Sequence, residues 1–168
     1  DKAANECDLV FATDNDGIAE RLRIKSDGVV EIGTTKLGPQ VIEKTHITAN
    51  KLSAASDLDI DDGNVFLYTT DETANGTPNI TSSTSSVNSI MAVGDSLTVT
   101  LIASISSGGF YQNVTIDGSS SGITIKWLND GEPSSSSSSG DYDVYTYTIL
   151  KTAATPTYVI LANRSVFK

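Results

Sequence analysis

Residues 97–105, LTVTLIASI, are the stretch that decides the fold. Apolar residues occupy every second position from Leu97 to Ile105, and most of the positions between them hold Thr or Ser. Successive side chains of a β-strand point to opposite faces of a sheet. The alternation therefore predicts a half-buried strand that turns one face toward a hydrophobic core.

More strands are predicted further along the chain. Residues 123–127 and 143–149 alternate in the same way, which places Trp127 on a core-facing side. Residues 157–162, TYVILA, form a nearly continuous apolar run that is typical of a strand buried on both faces. Short strands separated by Ser- and Gly-rich loops predict a C-terminal head, residues 86–168, built as a β-sandwich or jelly roll.

Three stretches repeat a simple apolar–turn–apolar pattern. They are residues 21–33, RLRIKSDGVVEIG, residues 58–67, LDIDDGNVFL, and residues 114–125, VTIDGSSSGITI. Each contains an Asp-Gly pair, and glycine supplies the positive φ that tight reversals require. The pattern predicts a β-hairpin at each stretch.

The N-terminal part of the chain, residues 1–85, has a different character. Phe11 is the only Phe, Trp or Tyr in residues 1–64, so a single copy of this region has little apolar surface to bury. Oligomerisation supplies the missing core, and we predict a slender shaft or neck in which three chains share it. Residues 40–54 fit either a short helix or an irregular shaft segment, and residues 71–86 are predicted to be a loop.

Charge and composition exclude several classes of function. Lys and Arg number 11 against 21 Asp and Glu, which gives a net charge of −10 and argues against nucleic acid or anionic lipid as a partner. A single cysteine, Cys7, excludes an internal disulfide. No apolar run approaches the ~18 residues of a membrane span, so membrane insertion is not predicted. Because the chain begins with Asp1, we expect it to be a fragment of a longer polypeptide.

Catalytic chemistry is not predicted. His46 is the only histidine, and no nucleophile motif accompanies it. One histidine and one cysteine are too few for a usual zinc site. We therefore predict that the chain is not an enzyme and needs no cofactor.

Residues 57–63, DLDIDDG, begin like a calcium-binding loop because Asp57, Asp59 and Asp61 alternate. However, the glycine falls one place late, and Tyr68 stands at the twelfth position, where such loops need glutamate. The alternation also fits a strand with three carboxylates on its outer face. We therefore assign no metal site. The alternative, that these aspartates hold a cation between neighbouring chains, stays open.

Aromatic residues beside the loops of the predicted head are the candidate ligand contacts. They are Phe110, Tyr111 and Tyr142. Aromatic faces stack on sugar rings, and polar loops bind sugar hydroxyls, so these residues fit sugar binding better than sugar cleavage. Trp127 shares the strand parity of its apolar neighbours and is assigned to the core instead.

Residues 20–35, ERLRIKSDGVVEIGTT, resemble a recurrent motif in the trimeric shaft of bacteriophage tail-fibre and related virion proteins, and the preceding residues 7–17, CDLVFATDNDG, fit that context. Residues 126–127, 143–149, 151–152 and 158–162 resemble a head module in structural proteins of marine phages, particularly those of cyanobacteria. The resemblance implies a homotrimeric fibre that belongs to the virion, as a tail fibre or another external appendage. Its partners would be other virion proteins and a glycan or protein receptor on the host surface.

We therefore expect an all-β chain in which a slender trimeric shaft is followed by a β-sandwich head for host attachment. Two alternatives stay open. The chain could be a capsid or neck decoration fibre without receptor binding, or a secreted carbohydrate-binding adhesin module.

Overall fold

The computed structural model of the protein describes residues 9–14, 18–24, 30–32, 42–106 and 108–168. Strands account for 49% of the residues and helices for 8%, which confirms the all-β class. The chain divides into two units, residues 1–42 and residues 43–168.

The first unit contains a three-stranded antiparallel sheet in the order β1-β2-β3. Its strands are β1 (Leu9–Asp14), β2 (Ile18–Ile24) and β3 (Val30–Ile32). Ile24 of β2 lies opposite Val30 of β3, so the hairpin predicted at residues 21–33 is confirmed. Its Asp-Gly turn lies outside the described residues.

Over its described residues, 43–106 and 108–168, the second unit contains nine strands and three short helical segments. In chain order the strands are β4 (Thr45–Thr48), β5 (Asp57–Asp59), β6 (Val65–Glu72), β7 (Asn79–Thr81), β8 (Ser96–Ile105), β9 (Thr115–Ile116), β10 (Ile123–Trp127), β11 (Tyr142–Ala153) and β12 (Thr157–Phe167). Helix α1 spans Val87–Ile90, and 3₁₀ turns span Leu52–Ala54 and Leu128–Asp130. Across the described residues, no helix combines the length and the apolar content that a membrane crossing requires.

Two sheets make up this unit. The larger has six strands in the order β10-β12-β11-β8-β6-β4, and the smaller has three in the order β5-β7-β9. In the larger sheet β11 is antiparallel to β8 and β12, whereas β4, β6 and β8 run parallel, as do β10 and β12. The smaller sheet is wholly parallel. A jelly roll is assembled from antiparallel strands, so these parallel pairs depart from the predicted topology.

Both sheets turn one face to the same core. Buried side chains alternate along β8, β11 and β12, and the smaller sheet contributes one buried residue from each strand: Leu58, Ile80 and Ile116. Trp127 packs against this core in T-shaped ring contacts with Tyr145 and Tyr147, which agrees with its predicted parity. The predicted core face of β8 is confirmed.

The other face of the six-stranded sheet, here called the outer face, remains accessible. Leu161 on β12 points to this side and is 50% exposed. The prediction that residues 157–162 are buried on both faces is therefore wrong. An apolar run predicts strand formation, but it does not show whether a second layer covers the strand.

Two of the three predicted hairpins are also wrong. Strands β5 and β6, within residues 58–67, belong to different sheets, and so do β9 and β10, within residues 114–125. The turns themselves are as predicted, since Gly63 has a φ of +132° and Gly118 a φ of +75°. The alternation predicts a buried face for each strand, but it does not specify the neighbouring strand.

The domain boundary differs from the prediction as well. It lies between residues 42 and 43, not between 85 and 86, because strands β4 to β7 contribute to both sheets of the second unit. The short helix considered for residues 40–54 is replaced by strand β4 and one 3₁₀ turn; residues 40 and 41 lie outside the described part. The predicted loop at residues 71–86 contains strand β7, whose Ile80 is buried.

Candidate functional site

Three loops meet at one end of the six-stranded sheet. We call them the loop end: residues 73–78, 108–114 and 131–141. The backbone N–H of Phe110 donates to Asn75 Oδ1 (3.2 Å), and the backbone N–H of Ile105 donates to the carbonyl oxygen of Asp141 (3.0 Å). The first bond joins the loops at residues 73–78 and 108–114, and the second ties the loop at residues 131–141 to the end of β8.

The buried side chain of Glu72 stabilises the loop end through hydrogen bonds. It lies at the end of β6, and its side chain is almost fully buried. Its carboxylate accepts from the N–H and the hydroxyl of Ser53 (2.8 and 2.6 Å), from the N–H groups of Thr73 and Ala74 (2.9 and 3.2 Å), and from the Tyr111 hydroxyl (3.0 Å). Burial alone would raise the pKa of Glu72, but the bonds from Ser53, Thr73 and Ala74 outweigh it and lower the pKa.

Tyr111 is a core residue, and its predicted role as a ligand contact is wrong. Its side chain is completely buried, its hydroxyl donates to Glu72, and its ring lies 5.0 Å from that of Tyr145. Burial and the neighbouring Glu72 carboxylate raise the pKa of Tyr111 far above its usual value, so the hydroxyl stays a donor. The backbone turns into the core directly after Phe110. The glycine pair before Phe110 does not indicate this change of direction.

The other two candidate contacts are accessible at different places. Phe110 is partly exposed in the loop after β8. Tyr142 is 43% exposed, and it is the first residue of β11 rather than a loop residue. It lies opposite Ser104 and Phe167 on the outer face. The structure therefore places Phe110 on the loop end and Tyr142 at the border between the loop end and the outer face.

A buried ion pair fixes the serine-rich loop, residues 133–140. Asp143 Oδ2 lies 2.8 Å from Arg164 Nη2 and accepts from the Tyr145 hydroxyl (3.2 Å), and Arg164 Nη1 donates to the carbonyl oxygen of Ser135 (2.7 Å). Sequence reasoning missed Asp143, Arg164 and Glu72. A signal was present for Asp143, because it shares the core-facing parity of Tyr145 in β11.

Lys151 anchors helix α1 at the opposite end of β11. Its buried ammonium donates to the carbonyl oxygens of Asn88 (2.6 Å) and Met91 (2.8 Å).

We expect Lys151→Met to lower the free energy of unfolding by about 2 kcal/mol, because both carbonyls lose a charged donor. Chemical denaturation measures this. The matched control is Lys126→Met on exposed β10, for which a change under ~0.5 kcal/mol is expected; equal losses would contradict the anchor role.

The aspartates considered for a cation bind the protein itself. Asp59 Oδ1 accepts from the N–H groups of Asp61 and Ser83 (both 3.1 Å), and Asp57 Oδ1 accepts from Asn79 Nδ2 (2.8 Å). Asp61 Oδ2 binds the loop at residues 82–84, and the Thr84 N–H lowers the pKa of this carboxyl. Within the described ranges, no group of three or more His, Cys, Asp or Glu is arranged to hold a metal ion.

His46 lies on β4 and contacts Asp62 and Phe66. Its Nδ1 is 3.4 Å from Asp62 Oδ2, and its ring is 5.8 Å from that of Phe66. These contacts explain the residue as part of the packing between β4 and β6.

Comparison of the chain with family models, with curated proteins and with solved structures found no significant match. The loop end offers an ordered surface with hydroxyl, amide and aromatic groups, which suits binding.

Proposed function

We propose that this chain is a structural component of a bacteriophage fibre on the outside of the virion. It assembles as a homotrimer and attaches to a host surface through its head, residues 43–168. The observation that carries the proposal is the exposure of strand β1, where Leu9, Val10 and Phe11 are 55%, 41% and 53% exposed.

Successive residues of a strand point to opposite faces, so β1 leaves apolar side chains uncovered on both faces. Burying one large apolar side chain contributes about 1.5–3 kcal/mol. A sheet of three short strands gains this contribution when another chain covers it. Identical chains around one axis provide the cover, and residues 20–35 of the same unit carry the resemblance to trimeric phage shafts.

The head supports an adhesive role. The loop end is held by Glu72 and by the Asp143–Arg164 pair, so little ordering entropy is lost on binding. Three copies of such a surface multiply weak contacts through avidity. In this proposal two sheets enclose the core of a sandwich-like head, and Phe110 and Tyr142 remain the candidate receptor contacts.

Light scattering on the purified chain tests the assembly. We expect three times the chain mass of 17.7 kDa. Phe11→Lys is expected to shift the protein toward monomer, because a buried ammonium would lose its hydration. Val93→Lys is the matched control, since Val93 is 56% exposed in the head, and it should keep the trimer mass. A wild-type monomer at all concentrations would end the proposal.

Incubating labelled protein with cyanobacterial cells tests attachment. Adsorption that is reduced by Phe110→Ala or Tyr142→Ala supports receptor binding through the head. A trimer that adsorbs to no host cell favours a decoration fibre instead.

A further inference from the structure

The outer face of the six-stranded sheet carries an apolar row. Ile47, Leu67, Ile102 and Val144 lie directly opposite one another on the neighbouring strands β4, β6, β8 and β11. Leu161 lies farther along the same face, on β12. Cross-strand rows of this kind stabilise a sheet most when a second layer covers them.

The outer face is also nearly free of charge. Among the side chains that the described strands direct outward, the charged ones are Lys126 on edge strand β10 and Asp71, which accepts from the Ser104 hydroxyl at the far side of the sheet. The whole chain has a net charge of −10. Like charges oppose self-association of such a chain, so copies can approach most closely through a surface that lacks acidic groups.

The size of the face fits contact between copies. Six strands about 4.8 Å apart, with side chains repeating about every 6.7 Å along them, give an area on the order of 700 Å². A stable interface buries about 800 Å² on each partner. A groove of about 490 Å³ beside Leu161, lined also by Leu128 and Thr146, offers space for side chains of a neighbouring copy.

We propose that the outer face is the surface through which heads of this chain pack against one another. This inference rests on the proposed homotrimer and adds a second site of association, in the head. Self-packing is favoured over a charged partner because the face has almost no charge with which to select one.

Cysteine labelling tests this packing in the full chain. In a Cys7→Ser background, Leu161→Cys and Ile90→Cys are compared for their rate of reaction with a bulky maleimide. Leu161 is 50% exposed and Ile90, on α1, is 49% exposed. The two introduced thiols should therefore react with the maleimide at similar rates in a chain that does not self-associate. We expect Leu161→Cys to react at least tenfold more slowly in the native oligomer, and both variants to react equally after unfolding.

A second variant shows what provides the protection. Thr146→Lys places an ammonium in the middle of the outer face, and in a single chain its long stem can reach water. With circular dichroism unchanged, the labelling rate of Leu161→Cys should rise to that of Ile90→Cys. Protection that persists in this variant would overturn the inference.

The outcomes separate the two proposals. Equal labelling rates in an oligomer of trimer mass overturn the head contact and leave the fibre proposal standing. A monomeric wild type overturns both.

Discussion

Glu72→Ala is expected to lower the free energy of unfolding by about 4 kcal/mol. The substitution removes the acceptor of five hydrogen bonds donated by Ser53, Thr73, Ala74 and Tyr111. Each donor left buried without a partner costs about 1–3 kcal/mol, and rehydration of the loop end recovers part of the total. Guanidinium denaturation followed by circular dichroism measures the loss, at equal protein concentration because oligomers are stabilised by mass action.

Glu132→Ala is the matched control, since Glu132 is exposed in the loop before β11. It should change the free energy of unfolding by less than ~0.5 kcal/mol. A loss below ~1 kcal/mol for Glu72→Ala would mean that the loop end does not depend on this carboxylate.

The lowered pKa of Glu72 gives the effect a pH signature. A carboxyl whose folded pKa lies below its ordinary value of 4.5 contributes stability that is fully present above that pH. The contribution is lost as the pH falls through the folded pKa. Stability of Glu72→Gln should therefore decline less than that of the wild type below about pH 4.5.

Gly122→Ala is expected to cost about 3 kcal/mol or more. Gly122 has a φ of +74°, and a Cβ atom there would clash with the carbonyl oxygen of Pro156. Its own carbonyl accepts from the Tyr158 N–H (2.8 Å), where the pairing of β10 with β12 begins. Relieving the clash therefore separates two strands. Thermal and chemical denaturation measure the loss.

Gly118→Ala is the matched control, because it measures the cost of a positive φ at a position where a Cβ atom causes no clash. Gly118 has nearly the same φ, +75°, but no atom lies within 4 Å of the position that a Cβ would occupy there. The positive φ alone costs about 1–2 kcal/mol. Similar losses for the two variants would show that the contact with Pro156 is relieved without moving β10.

The sequence allowed prediction of the strands but not of their neighbours. The alternation at residues 97–105, 123–127 and 143–149 predicts the core-facing sides of β8, β10 and β11, because a period of two follows from strand geometry. It cannot show that β5 and β6 enter different sheets. That choice depends on which buried faces fit together across the core.

The supports of the candidate site were hidden for a similar reason. Glu72 adjoins a polar stretch that is typical of an exposed loop, and its burial depends on donors from Ser53 and Tyr111, which are distant in sequence. Tyr111 closely follows Gly108-Gly109, and because a glycine pair favours a turn, the sequence predicts a position beside a loop and not one in the core. Charged and aromatic residues at such positions are assigned only once the tertiary contacts are known.

Strand β12 lies between β10 and β11; it pairs with β11 along its whole length and with β10 over residues 158–162. During translation, β10 and β11 leave the ribosome before the strand that joins them. The sheet therefore closes late, after residues about 35 positions apart have met, and distant pairing of this kind slows folding. A nascent chain interrupted before Thr157 would leave β10 unpaired, so premature termination is expected to yield an aggregation-prone intermediate and not a smaller folded unit.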